Sequence, residues 1–143
     1  MMEKIFVDSD IILDVLLKRS PFYHDAVRLL GLVEKGLVIG CTSALIIANC
    51  YYIICTNIDE KTARDAIGRL CLLLTVLPLT DKTIGNSLAS EFPDFEDGLQ
   101  YYIALKHDCK AIITRNQKDY VKAKINVFLP GEFLKIIEIK QKI

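Results

Sequence analysis

The sequence lacks any long apolar segment. None of its apolar runs approaches the roughly 18 residues that a membrane-spanning helix requires, and the first apolar stretch, Ile5–Val7, is too short for a secretory signal. We therefore expect a cytoplasmic protein with no membrane partner. The composition, 52% hydrophobic and 25% charged, is that of an ordinary globular protein, and 143 residues suit a single domain spanning 1–143.

Zinc ligands are also scarce. The sequence has two histidines, His24 and His107, and its five cysteines include no C-x-x-C pair of the kind found in zinc knuckles and redox motifs. Most of the cysteines lie in apolar segments, which favours buried thiols in a reducing compartment. The sequence thus argues against a zinc site built from His and Cys.

Positive charge is not in excess, because 18 Lys and Arg residues balance 18 Asp and Glu residues. Proteins that hold long stretches of nucleic acid without sequence preference usually carry a basic excess. A neutral chain could still act on nucleic acid, but tight capture of that polymer would need a metal ion, a local basic patch or a partner.

Short apolar runs alternate with longer segments of helical periodicity, which indicates parallel strands joined by right-handed crossovers. Strands are predicted at Ile5–Val7, Leu37–Cys41, Val76–Leu77, Ala111–Thr114 and Asn126–Phe128. Helices are predicted at Ile11–Lys18, Phe22–Lys35, Ala44–Thr56, Asp59–Leu74, from Thr80 or Asp81 to Ser90, at Asp94–His107 and at Pro130–Ile139. Gly36 is the predicted end of the second helix.

Polar residues follow the first, second and fourth predicted strands, and open parallel sheets bind ligands beyond these strand ends. They are Asp8, Ser9 and Asp10; then Thr42 and Ser43; then Thr114, Arg115 and Asn116, with Asp119 close behind. These residues would meet at one edge of the sheet if the first and fourth strands are neighbours.

Asp8 is the strongest candidate for a functional carboxylate among the residues that follow the first strand. A carboxylate at the end of an apolar strand is partly desolvated, which costs free energy unless a cation or hydrogen-bond donors compensate. The alternative is that Asp8 or Asp10 only caps the following helix. A cap needs one carboxylate, whereas Asp8, Asp10 and Asp14 are clustered.

A second acidic group precedes the sixth predicted helix. Asp94 is well explained as its N-cap, with Asp97 three residues further on. Glu96 and Asp97 are less well explained by capping. A hard cation such as Mg²⁺ or Mn²⁺ would relieve the repulsion among such carboxylates, lower the pKa of a bound water and neutralise a phosphodiester.

The stretch from Thr114 to Tyr120 admits two interpretations. Gln117 and Lys118 could belong to a solvated loop that leaves the fourth strand. Arg115 and Lys118, with Lys122 and Lys124 further on, could instead take the phosphates of a nucleic acid.

Four motifs in order resemble those of PIN-domain proteins, in particular the bacterial kind found as toxins in toxin–antitoxin pairs. They are IFVDSDIILD (5–14), TSALIIAN (42–49), FEDGLQ (95–100) and IITRN (112–116). The resemblance extends from Lys4 to about Lys135. It implies a three-layer α/β/α sandwich around a mostly parallel sheet of four to five strands, and divalent-metal-dependent cleavage of RNA. It also implies an antitoxin partner and a homodimer.

By this resemblance the family's four metal-binding positions fall at Asp8, Asn49, Asp97 and Asn116. Asn49 stands where the family usually has Glu, and Asn116 where it usually has Asp. An amide oxygen binds a metal or positions a water, but it supplies no charge and cannot act as a base. Asp119 and Glu96 lie close enough in sequence to compensate.

We therefore predict site residues in three overlapping roles. The predicted ligands of Mg²⁺ or Mn²⁺ are Asp8, Asp97 and Asp119, with Glu96 in support. The predicted catalytic residues are Asp8, Asp97, Asp119 and Asn116. The predicted substrate contacts are Ser43, Asn49, Thr114 and Arg115.

Two alternatives remain open from the sequence. The two asparagines are compatible with a catalytically weakened PIN-like domain that binds RNA or a protein. The run Asp8-Ser9-Asp10 also resembles the opening of aspartate-nucleophile phosphatases of the haloacid-dehalogenase kind, although Ile11-Ile12-Leu13 replaces the residues that usually follow in that family.

Overall fold

A five-stranded parallel sheet forms the centre of the molecule. The computed structural model describes residues 3–142; Met1, Met2 and Ile143, at the ends of the predicted domain, lie outside this range. The strands are β1 (Lys4–Val7), β2 (Ile39–Ser43), β3 (Thr75–Leu77), β4 (Ala111–Ile113) and β5 (Asn126–Phe128). Their order is β3-β2-β1-β4-β5, and every neighbouring pair is parallel.

Within residues 3–142, seven α-helices and one 3₁₀ helix connect and follow these strands. The α-helices are α1 (Ser9–Leu16), α2 (Tyr23–Glu34), α3 (Ala44–Asn57), α4 (Glu60–Leu73), α5 (Asp81–Leu88), α6 (Phe95–Lys106) and α7 (Pro130–Gln141). The 3₁₀ helix is Gln117–Tyr120, between β4 and β5.

Helices cover both faces of the sheet because the chain adds strands first on one side of β1 and then on the other. From β1 the chain proceeds through β2 to β3 at one edge, then returns to the other side of β1 for β4 and β5. Right-handed crossovers therefore place α1 to α4 on one face and α5 and α6 on the other. α7 packs against α2. The predicted layered α/β fold with a parallel sheet is confirmed.

The central strands are buried on both faces, as their continuous apolar runs predict. Ile5, Phe6 and Val7 of β1 and Ile112 and Ile113 of β4 are completely inaccessible to solvent. The first and fourth strands are neighbours, which is the condition for the polar residues after them to meet, because Phe6 pairs with Ile112 and Val7 with Ile113. The reversal of strand order falls between these two strands, which is where ligands bind in such sheets.

Most predicted element bounds differ from the observed ones by one or two residues, and the second strand shows why. Predicted at Leu37–Cys41, it is observed at Ile39–Ser43. Gly36 does end α2, in the left-handed conformation (φ 75°), but Leu37 N still donates to Leu32 O of that helix. Strand pairing begins only at Ile39, whose N donates to Glu3 O. The 3₁₀ helix was not predicted.

No helix in the described part of the chain, residues 3–142, combines the length and the apolar character needed to cross a bilayer.

Candidate active site

An acidic cleft of about 640 Å³ lies beyond the carboxyl end of β1, between α3, α6 and the 3₁₀ helix. Its carboxylates come from Asp8, Asp94, Glu96, Asp97 and Asp119; its other polar side chains come from Ser9, Asn49, Tyr52 and Gln100. Among residues 3–142, no lysine or arginine lines this cleft. An anion therefore meets only negative charge and neutral dipoles there unless a cation is bound.

Asp8 is held rigidly at the end of β1, where it is also the N-cap of α1. Its Oδ1 accepts from Ser9 N at 2.8 Å, and its Oδ2 accepts from Thr114 Oγ1 at 2.9 Å and from Tyr120 Oη at 3.1 Å. Burial nevertheless raises the pKa of this carboxyl, because removal from water outweighs the three donors. The capping interpretation is correct for Asp8, and the side chain also lines the cleft.

The other two carboxylates of the first acidic group have partners outside the cleft. Asp10 Oδ2 accepts from Arg115 N at 3.0 Å and from Asn116 Nδ2 at 3.0 Å. Asp14, which is completely buried, accepts from Arg115 Nε at 2.7 Å and from Arg19 Nε at 2.9 Å. These two side chains fix α1 to the loop after β4, and only Asp8 of the three faces the cleft.

Asp97 enters the cleft from the first turn of α6. Asp94 caps this helix as predicted, with its Oδ1 accepting from Asp97 N at 3.0 Å. The next residue, Gly98, lies so close to Ser87 of α5 that a Cβ at this position would collide with the Ser87 hydroxyl, which donates to Phe95 O at 2.8 Å. The close approach of α5 and α6 thus sets the position of Asp97.

The cleft carboxylates repel one another. Burial, followed by the charges of Asp94, Asp119, Asp8 and Glu96, raises the pKa of Asp97 to about 7. A carboxyl that titrates near neutrality is common where a functional site concentrates like charge. Bound cations are the usual means of relieving such repulsion.

Asn49 and Glu96 are joined across the cleft. Asn49 Nδ2 on α3 donates to Glu96 Oε1 on α6 at 3.0 Å. Both residues are exposed. This bond uses the Asn49 donor and leaves its acceptor oxygen available.

The remaining predicted residues have local roles in the fold. Ser43 is completely buried, and its Oγ caps α3 by accepting from Ile46 N at 3.1 Å. Thr114, also completely buried, positions Asp8. The Arg115 guanidinium contacts Asp14 and stacks 3.8 Å from the centre of the Phe22 ring. Asn116 lies outside the cleft and contacts Asp10, whereas Asp119 lines the cleft.

Tyr120, which contacts Asp8, and Gln100, which lines the cleft, were not singled out from the sequence. Tyr120, only 2% exposed, anchors the 3₁₀ helix and donates to Asp8. Gln100, 4% exposed, lines the cleft with an Oε1 that has no hydrogen-bond partner in the structure. The sequence features that could have identified them are an isolated aromatic residue directly after Asp119 and a glutamine three residues after Asp97.

The oxygen atoms of the cleft side chains suit a hard divalent cation. Within residues 3–142, no three Asp, Glu, His or Cys side chains converge closely enough to hold a metal ion as they stand. The cleft nevertheless offers only oxygen ligands, which Mg²⁺ and Mn²⁺ prefer, and Mg²⁺ usually binds through one or two carboxylates while keeping several waters. The side chains present are therefore suitable for such a cation.

Comparison with known families decides the classification. The model of the PIN domain family matches residues 4–118. This chain belongs to the PIN-domain family. The assignment excludes the haloacid-dehalogenase alternative, and ribonucleases of the PIN-domain family generally depend on a divalent metal ion.

Individual relatives of this PIN domain agree with that assignment. Ribonuclease VapC1 from Aquifex aeolicus (strain VF5) is 29% identical over 136 residues, covering 92% of this chain and 93% of its own. A toxin–antitoxin complex from Klebsiella pneumoniae contains a chain of similar fold (TM-score 0.68, 19% identity, covering 88% of this chain and 97% of that one). The sarcin–ricin-loop-cleaving toxin VapC20 from Mycobacterium tuberculosis also shares the fold (TM-score 0.61, 15% identity, covering 76% and 86%).

Proposed function

We propose that this PIN domain is a divalent-metal-dependent endoribonuclease and the toxin of a toxin–antitoxin pair. The observation that carries the proposal is the cleft itself, in which five carboxylates gather at the reversal point of a parallel sheet without a neighbouring Lys or Arg among residues 3–142. Such a cleft repels a phosphodiester until a cation is present. The similarity to Ribonuclease VapC1 supports RNA as the substrate.

Asp8, Asp97 and Asp119 would hold the ion, which is Mg²⁺ or Mn²⁺, with Glu96 in support. When bound, the cation would supply charge neutralisation at the phosphodiester and a lower pKa for water in its shell. Asp97, with a pKa near 7 in the metal-free protein, must release its proton to serve as a ligand.

The rest of the chain positions these groups. Tyr120 and Thr114 fix the Asp8 carboxylate by hydrogen bonds, so that its orientation is set before any ligand arrives. Asn49 orients Glu96. Because the Arg115 guanidinium is paired with Asp14, the exposed Lys118 and Lys124 are better placed to contact RNA phosphates outside the cleft.

The proposed partners are RNA, an antitoxin protein and a second copy of this chain. Complexes with antitoxins are recorded for structural neighbours such as the Klebsiella pneumoniae protein. We propose that residues 1–143 form a single PIN-like domain.

The test is cleavage of a mixed RNA substrate by purified protein with Mg²⁺, with Mn²⁺ and with EDTA. Cleavage by the wild type that requires the ion, and its loss in Asp8→Asn and Asp97→Asn, would support the proposal. Asp65→Asn, which removes an exposed acid of α4 outside the cleft, is the matched control and should cleave normally.

The competing function is that of an RNA- or protein-binding module in which the two asparagines have disabled catalysis. Absence of both Mn²⁺ binding and cleavage in a well-folded wild type would favour it. Growth arrest on expression in a bacterial host, abolished by Asp97→Asn, would support the toxin role, and light scattering would give the oligomeric state.

A further inference from the structure

Gln100 lines the acidic cleft and carries a buried amide oxygen that has no hydrogen-bond partner. Its side chain is 96% buried, since 4% is exposed, and Oε1 has no hydrogen-bond partner in the structure. It lies on α6 three residues after Asp97, so the two side chains share one face of the helix. Both line the cleft.

A buried, unpaired amide oxygen is costly, and most buried polar atoms in proteins are paired. Leucine or methionine would fill the same volume of a helix face without that cost. No donor of the cleft reaches this oxygen in the structure: the ionised carboxylates only accept hydrogen bonds, and the Asn49 amide donates to Glu96. In this arrangement the acceptor of Gln100 is left for a cation or for a donor from outside the chain.

We propose that Gln100 Oε1 is a neutral oxygen ligand of the divalent cation, alongside the carboxylates of the cleft. Amide oxygens belong to the ligand set of hard cations. The inference rests on the proposed function, since it needs the same ion. It adds a ligand that brings no further negative charge to a cleft in which Asp97 already experiences the charge of four other carboxylates.

The test measures Mn²⁺ affinity by calorimetry, and metal-free thermal stability in EDTA, for the wild type, Gln100→Leu and Gln100→Glu. Gln100→Leu should weaken Mn²⁺ binding by about tenfold, the lower end of the loss seen when groups around a metal are replaced. Its metal-free melting temperature should equal or exceed that of the wild type, because an unpaired buried oxygen has been removed. Gln100→Glu should bind Mn²⁺ more tightly than the wild type.

Gln117 provides the matched control, because its side-chain amide is satisfied. Its Nε2 donates to Val127 O at 3.0 Å and to Glu132 Oε1 at 2.9 Å. Gln117→Leu should lower the metal-free melting temperature and leave Mn²⁺ affinity unchanged, which is the opposite of Gln100→Leu.

Unchanged Mn²⁺ affinity in Gln100→Leu, with the wild type binding normally, would overturn the role of Gln100 and leave the proposed function intact. A lower metal-free melting temperature with unchanged affinity would assign Gln100 a purely structural role. A folded wild type that binds no Mn²⁺ would overturn the metal-dependent function, and this inference with it.

Discussion

The Asn49 side-chain amide donates to the Glu96 carboxylate across the cleft at 3.0 Å. By its motif resemblance, Asn49 falls where PIN domains usually have a glutamate; here the charge at this side of the cleft comes from Glu96 on α6. A glutamate at both positions would place two carboxylates in contact. The amide at position 49 is therefore matched to the acid at position 96.

Asn49→Glu should lower the metal-free free energy of unfolding by about 0.5–1 kcal/mol, the scale of exposed charge pairs. The double variant Asn49→Glu/Glu96→Gln exchanges the amide and the carboxylate, and it should restore stability and keep Mn²⁺ affinity near that of the wild type. Urea denaturation and calorimetry measure the two quantities. Ala48→Glu, which adds the same charge at an exposed position of α3 that does not line the cleft, is the control, and equal losses in both single variants would contradict the expected pairing.

Tyr120 supports the charged form of Asp8. Removing its hydroxyl from a carboxylate that is only 9% exposed should cost about 1–2 kcal/mol at pH 8. Tyr120→Phe should be less destabilising at low pH, where Asp8 is protonated. Urea denaturation at the two pH values tests this, with Tyr102→Phe, whose ring also packs on Phe92, as the control. A cost that does not depend on pH would exclude a charge-assisted bond.

The buried Asp14 pairs with two guanidinium groups, which we expect to contribute unequally to stability. Arg115 makes two hydrogen bonds to it and its side chain is 24% exposed, whereas Arg19 makes one and is 38% exposed. Arg115→Leu should therefore destabilise the protein by about 3 kcal/mol, because it leaves a buried charge underpaired. Arg19→Leu should cost less. Urea denaturation gives both values, and the reverse order would contradict this assignment.

The metal-free protein should lose stability between pH 4 and pH 7 because of Asp97. Its pKa rises from 3.8 to about 7 on folding. Within this window the folded state keeps a proton that the unfolded state has released, so the free energy of unfolding falls as pH increases. Asp97→Asn removes this contribution, and its stability in EDTA should exceed that of the wild type increasingly from pH 4 to pH 7.

Melting temperatures across this range, recorded for both proteins, provide the comparison. Saturating Mn²⁺ should raise the wild-type values most at neutral pH, where Asp97 can ionise, and should affect Asp97→Asn little. Parallel profiles for the two proteins would show that Asp97 has an ordinary pKa.

The sheet and its polar edge could be predicted because they depend on local patterns. Continuous apolar runs mark β1 and β4 as buried strands, and the polar residues after them fix where ligands approach. Helix ends were also visible, since Gly36 and Asp94 have the chemistry that such ends require. These signals lie within a few residues of the features that they predict.

The different roles of Asp8, Asp10 and Asp14 could not be predicted from the sequence, because their hydrogen-bond partners after β4 lie about a hundred residues further along the chain. The Arg115 guanidinium pairs with Asp14 and the Arg115 backbone amide donates to Asp10, so that neither carboxylate faces the cleft. The 3₁₀ helix was missed for a similar reason: its stretch is polar except for Tyr120, which becomes buried only once Asp8 and Phe92 are in place. The catalytic and substrate roles of Asn116, Ser43 and Arg115 stay predictions.

The groups that complete the cleft are far apart in the order of synthesis. Asp8 is synthesised long before its donors Thr114 and Tyr120 and before the carboxylates Asp97 and Asp119. Until those later segments are made, Asp8 has neither these donors nor the other cleft carboxylates around it. The centre that we propose cuts RNA therefore forms only after the segment from Asp97 to Tyr120 has left the ribosome.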